Sequence, residues 1–346
     1  MDNISLGKID KLIIHYIGNK NSGDGVRFAE ELTDFSKVEE HLSNLLVSNF
    51  KAEELYHFYF DPNLNLNPIY QFASSLFRNE QSYIEESKNV GRYLYDKSTH
   101  PNIKGGELFV VYIKDCQLND EIVDCIVLFK SENKDTILKI NSTNKGFDLT
   151  DISGLNINRL DKGCLIFNTE KEEGFIVSII DNTNKGSEAQ YWKDDFLSVR
   201  PKKDDFHQTN QFLGIAKQFV TTKLSDDFDD ISKTDKIDFL NRSVDYFKKH
   251  ETFNKSEFEE EVFGDTNVIE SFRKFDNSYR EDNELDLKDN FQISSQAVKK
   301  QSRVFKSVLK LDQNFHVYIH GNKNLIEKGV ENDGRKYYKI YFEEEK

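Results

Sequence analysis

The sequence predicts an α+β protein: an antiparallel β-meander with packed helices, then an acidic helical segment with C-terminal antiparallel strands. Two observations predict this class. Apolar residues first recur at helical spacing, and short β-branched and aromatic runs separated by Asn, Asp, Lys and Gly turns then follow. Successive strands with short connections pair antiparallel, because a parallel crossover needs about a dozen residues. We expect the helices to pack on one face of the sheet.

The N-terminal part is expected to hold a strand, a Gly/Asn-rich loop and three helices. The strand covers residues 9–17, the loop 18–25 and the third helix 82–95. Ser36 and Glu39 have the spacing of a capping box, which predicts the start of the first helix. Asn67 followed by Pro68 predicts the N-cap and first position of the second helix, because the first turn has no use for the N–H that proline lacks.

The remaining elements follow the same two periodicities. The predictions are strands over residues 107–114, 121–130, 136–141, 163–167 and 174–181, helices around 212–220, 237–247 and 268–275, a short helix capped by Ser256 and Glu259, and strands over 303–311, 315–320, 325–330 and 336–342. Asp333-Gly334 predicts a hairpin, because such a turn needs residues that tolerate positive φ. A boundary near residues 200–205 separates an N-terminal α+β domain with an antiparallel sheet, 1–203, from a C-terminal helical plus β-hairpin domain, 204–346.

Charge limits the possible functions. The chain carries 47 Lys and Arg against 61 Asp and Glu, a net charge of −14. Phosphates repel so acidic a chain, so DNA contact requires a local basic patch or a partner protein. The acidic stretch 226–289 is interpreted as solvated helix faces and loops. No apolar run approaches the roughly 20 residues that cross a bilayer, and the start does not resemble a signal peptide, so we expect a cytoplasmic protein without membrane contact.

The cysteines, the histidine pair near the C-terminus and the glycine-rich loop do not match catalytic or ligand-binding motifs. Cys116, Cys125 and Cys164 lie in apolar runs and are expected to be buried, reduced thiols. His316 and His320 would stand roughly 13 Å apart on a strand, too far to share an ion. The loop 18–25 lacks the Lys and Ser or Thr of a phosphate-binding loop. We therefore predict no catalytic residues, no metal ligands and no cofactor.

One segment is basic in this acidic chain. Residues 294–311 contain no acidic residue and hold five cations: Lys299, Lys300, Arg303, Lys306 and Lys310. Near the end of the chain, Arg335 and Lys339 alternate with Tyr337 and Tyr341 on a strand face. Cations beside aromatic rings suit phosphate contacts, so these seven cations are the candidate DNA-binding residues. The alternative is a lysine-rich edge strand protected against aggregation.

Three segments of the sequence are distinctive: His100-Pro-Asn-Ile-Lys-Gly-Gly-Glu-Leu-Phe-Val-Val-Tyr112, Leu160-Asp-Lys-Gly-Cys-Leu-Ile166 and Glu188-Ala-Gln-Tyr-Trp-Lys-Asp-Asp-Phe-Leu197. They resemble the bacterial 37-kDa nucleoid-associated protein family. The most specific part is Tyr191-Trp192, which leads into Phe206-His207-Gln208, and the resemblance runs from about residue 5 to 225. It implies a cytoplasmic protein found with the nucleoid, with DNA association and no established catalytic residues. Trp192 itself is expected in the core.

Two hypotheses about function follow. The first is a non-enzymatic, homo-oligomeric nucleoid-associated protein that binds DNA through the C-terminal basic patch, or docks on a DNA-bound protein such as a topoisomerase. In the docking case the acidic helices would mimic the charge of DNA. The second is a metal-dependent, nuclease-like enzyme in a defence or stress module, assembled from carboxylates distant in sequence.

Overall fold

The computed structural model describes residues 4–50, 54–183, 191–228, 231–303, 305, 308–311, 313–319 and 325–344. They form two compact units, Met1–Lys202 and Lys203–Lys346. Among these residues, no helix combines the length and apolar character needed to cross a membrane.

The first unit is built on one large sheet. Its elements are β1 (Ile4–Ser5), β2 (Lys8–Ile17), β3 (Val26–Arg27), α1 (Glu39–Asn49), β4 (Leu55–Phe58), α2 (Pro68–Arg78), α3 (Tyr83–Lys97), β5 (Gly106–Leu118), β6 (Glu121–Ser131), β7 (Asp135–Thr143), β8 (Gly146–Gly154), β9 (Lys162–Phe167), β10 (Ile176–Asp181) and β11 (Val199–Pro201). The strand order is β11-β4-β10-β9-β6-β5-β2-β3, β1 also pairs with β5, and every pairing is antiparallel. The run β5-β6-β9-β10 forms the predicted meander without the strand predicted over residues 136–141, because that strand, β7, pairs with β8 in a separate two-stranded sheet. The α+β class is confirmed.

Helices cover both faces of this sheet, so the expectation of one covered face was wrong. On one face α2 and α3 pack through residues such as Ile69 and Leu94. On the other, α1 packs through Leu46. The central strands are apolar in both directions: Val110 belongs to the first core and its neighbour Val111 to the second. A sheet that is apolar on both faces needs both covered.

The helix starts confirm one predicted cap and correct two others. The side chain of Asn67 accepts a hydrogen bond from the Tyr70 N–H, and Pro68 opens α2. The Ser36–Glu39 capping box was wrong, because α1 begins after Val38, which has no side-chain cap. The short helix predicted to be capped by Ser256 begins at Lys255 and is capped by Asn254, two residues before the predicted cap.

The second unit joins helices to three small two-stranded antiparallel sheets, of which β14-β15 and β16-β17 are hairpins. Its elements are α4 (Asp205–Gln218), α5 (Leu224–Asp227), α6 (Lys233–Lys249), β12 (Thr252–Asn254), α7 (Lys255–Val262), α8 (Thr266–Asp282), β13 (Asn290–Gln292), α9 (Ser295–Ser302), β14 (Val308–Leu311), β15 (Phe315–Tyr318), β16 (Ile326–Val330) and β17 (Lys336–Ile340). A π-helical segment, Phe219–Lys223, joins α4 to α5. The core is rich in phenylalanine rings, including Phe212, Phe258 and Phe272.

The C-terminal strands are shorter than expected. Among the described residues of the strand predicted over 303–311, those of β14 are strand, whereas Arg303 is the C-cap of α9, a helix that the sequence did not predict. The hairpin at Asp333-Gly334 is confirmed by the pairing of β16 with β17, and Gly334 has a φ of 85°. His316 lies exposed on β15, whereas His320 lies outside the described residues.

Candidate nucleic-acid interface

The basic segment begins as a short helix whose buried side holds it in place. The Ser294 side chain caps α9 by accepting a hydrogen bond from the Ala297 N–H at 3.4 Å. Ala297 and Val298 are buried. Lys299 and Lys300 fall in the last turn, where the partial negative charge of the helix C-terminus favours cations. The local sequence therefore gathers positive charge at one helix end.

Helix α4 contributes aromatic and cationic neighbours to this end. The Lys300 Nζ lies 5.3 Å from the centroid of the Phe206 ring, and the Lys217 Nζ lies 5.9 Å from that of Phe305. Cations over ring faces are held by the ring quadrupole. Lys217 was missed from the sequence, because only packing brings its turn of α4 beside the chain that follows α9.

The predicted cations of the basic segment differ in what the structure describes of their exposure and ion pairing. Lys299, Lys300 and Arg303 are exposed. Within the part of the chain that the structure describes, neither Lys299 nor Arg303 forms an ion pair with a carboxylate. Lys306 lies outside the described residues, and for Lys310 only the backbone, in β14, is described.

Arg335 and Lys339 are exposed on a separate hairpin and have acidic neighbours. The Arg335 Nε lies 2.7 Å from an Asp333 carboxylate oxygen. The Lys339 Nζ lies 4.0 Å from Glu327, on the opposite strand, and 4.7 Å from the Tyr341 ring centroid. These carboxylates partly neutralise the charge that would meet a phosphate. The α9 end is therefore the better candidate interface.

The acidic helices are not solvated throughout, which corrects the sequence interpretation at two positions. Glu259 and Asp276 are buried. The Arg273 Nη2 lies 2.6 Å from Glu259, and Asp276 is paired with Lys255 at 2.6 Å and Arg280 at 2.7 Å. Their partners come from neighbouring turns and elements, which a sequence pattern does not reveal. The exposed acidic side chains of this region include Glu257, Glu260, Glu261, Glu270, Glu281, Asp282, Glu284 and Asp286.

A buried charge cluster lies in the first unit. It consists of Lys130, Glu132, Asp161 and Lys162. The side chains of Lys130, Glu132 and Lys162 are 0%, 4% and 1% exposed, and each Nζ lies 3.1 Å from one oxygen of Glu132. The Asp161 carboxylate accepts hydrogen bonds from the N–H groups of Glu132 and Asn133. Burial lowers the pKa of Lys130, against the opposing effect of Glu132.

The three segments that carry the family resemblance meet at this cluster. The Lys104 carbonyl accepts a hydrogen bond from the Lys130 Nζ at 2.6 Å, which brings in the first segment. The second segment supplies Asp161 and Lys162. In the third, the Tyr191 ring centroid lies 5.1 Å from the Lys162 Nζ, and the Trp192 Nε1 donates to the Gly163 carbonyl at 3.2 Å. Residues 188–190 of that segment lie outside the described part of the chain.

The thiols and the indole lie where they were expected. Cys116, Cys125 and Cys164 are free and buried, and burial raises the pKa of Cys125 and Cys164. Buried protonated thiols are poor nucleophiles. Trp192 is fully buried in the core beneath α2 and α3, so its prediction is confirmed.

One cluster could hold a divalent cation. The nearest ligand atoms of His250, Glu257 and Glu261 lie within 4.8 Å of one another. Burial raises the pKa of Tyr246 to about 12, so its hydroxyl stays protonated and donates to Glu257. An ordinary contact of 3.3 Å between His250 and Glu261 already accounts for the approach. The absence of metal ligands stays a prediction. The sequence spacing of His250, Glu257 and Glu261 does not indicate their proximity, because β12 lies between the histidine and the two glutamates.

Comparison with known families gives the class of protein first: the chain is matched, over residues 13–335, by a model of nucleoid-associated proteins. The family is described as nucleoid-associated protein YejK, and the chain belongs to it, because the match spans nearly its whole length. The comparison with curated proteins found no match. The resemblance noted from the sequence is confirmed.

Proposed function

We propose that this nucleoid-associated protein is a cytoplasmic, non-enzymatic DNA-binding protein that contacts phosphates through the end of α9. The observation that carries the proposal is the state of Lys299 and Arg303, which are exposed and have no ion-paired carboxylate among the described residues. Lys300 and Lys217 lie over ring faces beside them. Lys306 and Lys310 belong to the same basic segment and remain candidate contacts.

The net charge of −14 determines the strength and the salt dependence expected of DNA binding. Acidic surface opposes every approach to DNA, so only a few local contacts favour it. Contacts to phosphate carry no sequence information, and their strength falls with salt because counterions are released. We therefore expect modest, salt-sensitive binding without sequence preference.

Docking on a DNA-bound protein, such as a topoisomerase, is the second route to the nucleoid. It is supported by the exposed acids of α7 and α8, including Glu260, Glu270 and Glu281, which offer a basic partner the charge of a DNA surface. We also propose that the protein is a homo-oligomer.

A charge-reversal experiment tests direct contact. We expect Lys299→Glu with Arg303→Glu to weaken binding similarly for all duplex sequences, and to reduce the log–log salt slope by about two, because each lost phosphate contact contributes about 0.9. The matched control is Arg335→Glu with Lys339→Glu, which changes the net charge equally but at cations that already have acidic neighbours. The measurement is fluorescence anisotropy of labelled duplexes over a salt series.

The outcomes separate the two routes. If the wild type shows no salt-dependent binding, or both double variants bind alike, direct contact at α9 is wrong. Recovery from lysate with nucleoid proteins after nuclease treatment would then identify protein docking, with Glu260 and Glu270 the first to mutate. Duplex cleavage that depends on Mn²⁺ and is lost in Glu257→Gln would overturn the non-enzymatic proposal.

A further inference from the structure

Strands β7 and β8 form an arm, residues 135–154, that interrupts the central sheet. The two strands pair with each other from Asp135–Gly154 to Thr143–Gly146, in a sheet of their own. The strands on either side of the insertion, β6 and β9, pair directly with each other. Nearly every residue of the arm is exposed. It is therefore an extension that the sheet does not need for its own pairing.

The arm has one strongly apolar face and one mainly polar face. The register pairs Ile140 with Leu149 on one face, flanked by Leu138 and Phe147. These side chains are 67%, 68%, 70% and 75% exposed, in that order. The opposite face carries Lys139, Asn141, Asp148 and Thr150 toward the tip, and the apolar pair Ile137–Ile152, each 49% exposed, near the base. Large apolar side chains are therefore concentrated on the first face, as in a strand pair with one buried face.

The apolar face is left uncovered by the described residues of this chain. A lone two-stranded hairpin is at best marginally stable in water, and packing of one face is what stabilises it. Four large apolar side chains side by side also exceed the scattered exposure that ordinary surfaces show. The pattern indicates a surface that another molecule covers.

We propose that the apolar face of the arm packs against the same face of a second copy of this chain, related by a two-fold axis that lies between the two faces and runs perpendicular to the strands. Such an axis makes the two arms antiparallel, so that the tip of each points toward the base of its partner. Lys145 is in the tip turn, and Asp151 is on the apolar face, opposite Leu138 and three pairs in from the base. With the axis near the Asn141–Asp148 pair, Lys145 of each tip lies over Asp151 on the apolar face of the partner arm.

The size of the face sets the strength expected of this dimer. Nine residues at about 3.3 Å each and two strands about 4.8 Å apart give a face roughly 30 Å by 10 Å. That is below the roughly 800 Å² per partner of a standard interface. The arms therefore form a weak, reversible dimer whose population depends on protein concentration. Because each copy carries −14, added salt screens repulsion and strengthens the dimer.

This inference rests on the proposed homo-oligomer but not on DNA contact at α9. Either proposal, dimerisation through the arm or DNA contact at α9, can be wrong without the other, since the arm is in the first unit and α9 in the second. Their salt responses are opposite: dimerisation strengthens with salt and DNA binding weakens.

Sedimentation over a concentration series tests the arm. We expect the wild type to move from 40.5 kDa toward twice that mass as the protein concentration rises. Leu138→Lys with Leu149→Lys should remain monomeric, whereas Lys139→Glu with Thr150→Lys, on the polar face, should dimerise like the wild type. A chain with residues 136–153 replaced by a short turn between Asp135 and Gly154 should also be monomeric. Circular dichroism checks that each variant is folded.

A charge swap tests the antiparallel geometry. Lys145→Asp and Asp151→Lys should each weaken the dimer severalfold, and the double variant should recover. A wild type that stays monomeric at high concentration, or an arm-shortened chain that still dimerises, overturns the proposal. Dimerisation with no recovery in the double variant overturns the antiparallel arrangement.

Discussion

At the scale of single residues, His15 shows how a buried ring can be held neutral. Its Nδ1 accepts a hydrogen bond from the Ala29 N–H at 3.1 Å, so its Nε2 carries the proton toward the Ser87 hydroxyl, 2.9 Å away. The Ser87 hydroxyl donates to the Ile84 carbonyl. Protonation of Nδ1 would break the first of these bonds. Burial, with the nearby charges of Lys88 and Arg92, lowers the pKa of His15 to about 4.

His15 should therefore make stability depend on pH. The unfolded chain binds the proton with a pKa of 6.5 and the folded chain with one of about 4. Stability is thus full above pH 6.5 and falls as pH decreases toward 4, by roughly 1 to 3 kcal/mol. Urea unfolding of the wild type and His15→Gln at several pH values measures this difference, with exposed His41→Gln as the control. A wild type whose pH slope matches that of His15→Gln would contradict the assignment.

Residue identity alone predicted burial but not partners. The cysteines and Trp192 were read correctly, because apolar surroundings along the sequence decide whether such side chains are buried. Lys130 lies next to the last residue of β6 and Lys162 is the first residue of β9, and the sequence holds no sign that both are buried. Their burial depends on Glu132, which reaches both only after the strands have paired.

At the scale of elements, the pairing of β6 with β9 brings two lysines together, and the buried charge cluster compensates their repulsion. The register sets Lys130 directly opposite Lys162. Like charges in that position destabilise a sheet. Glu132, one residue beyond β6, bridges both ammonium groups at 3.1 Å. One carboxylate thus permits the alignment of two strands.

Glu132→Gln should be strongly destabilising. Removing the carboxylate leaves the two buried cations without the group that bridges them, a change that costs about 3–5 kcal/mol. Glu107→Gln is the matched control, because it breaks a pair with the half-exposed Lys134 and should cost less than about 1 kcal/mol. Urea unfolding followed by circular dichroism measures both. A loss for Glu132→Gln no larger than that of the control would show that the cluster contributes little.

Element type was predictable where one periodicity dominated, and less so at element ends. The meander strands and α2 follow from β-branched runs and from Asn67-Pro68. Helix α9 was not predicted. The strand predicted from residue 303 begins at Arg303, which is the C-cap of this helix. Strand β8 was missed, since its Asp and Thr residues resemble a turn until its pairing with β7 is known.

At the scale of the whole molecule, the net charge opposes DNA binding, whereas the local charge at the end of α9 favours it. The −14 of the chain excludes uniform coating of DNA, yet Lys299 and Arg303 at the α9 end have no ion-paired carboxylate among the described residues. The sequence located that basic segment. It did not distinguish Lys299 and Arg303 from Arg335 and Lys339, because only the fold brings Asp333 and Glu327 beside the latter pair.

The single tryptophan gives the molecule a built-in optical label. Trp192 is buried in the first unit, whereas the core of the second contains phenylalanine and tyrosine rings. Indole emission therefore reports only the first unit, while far-ultraviolet ellipticity is weighted toward the helices of the second. Since each unit has its own core, we expect the emission and ellipticity curves to have different denaturant midpoints. Superimposable curves would mean that the chain melts as one cooperative body.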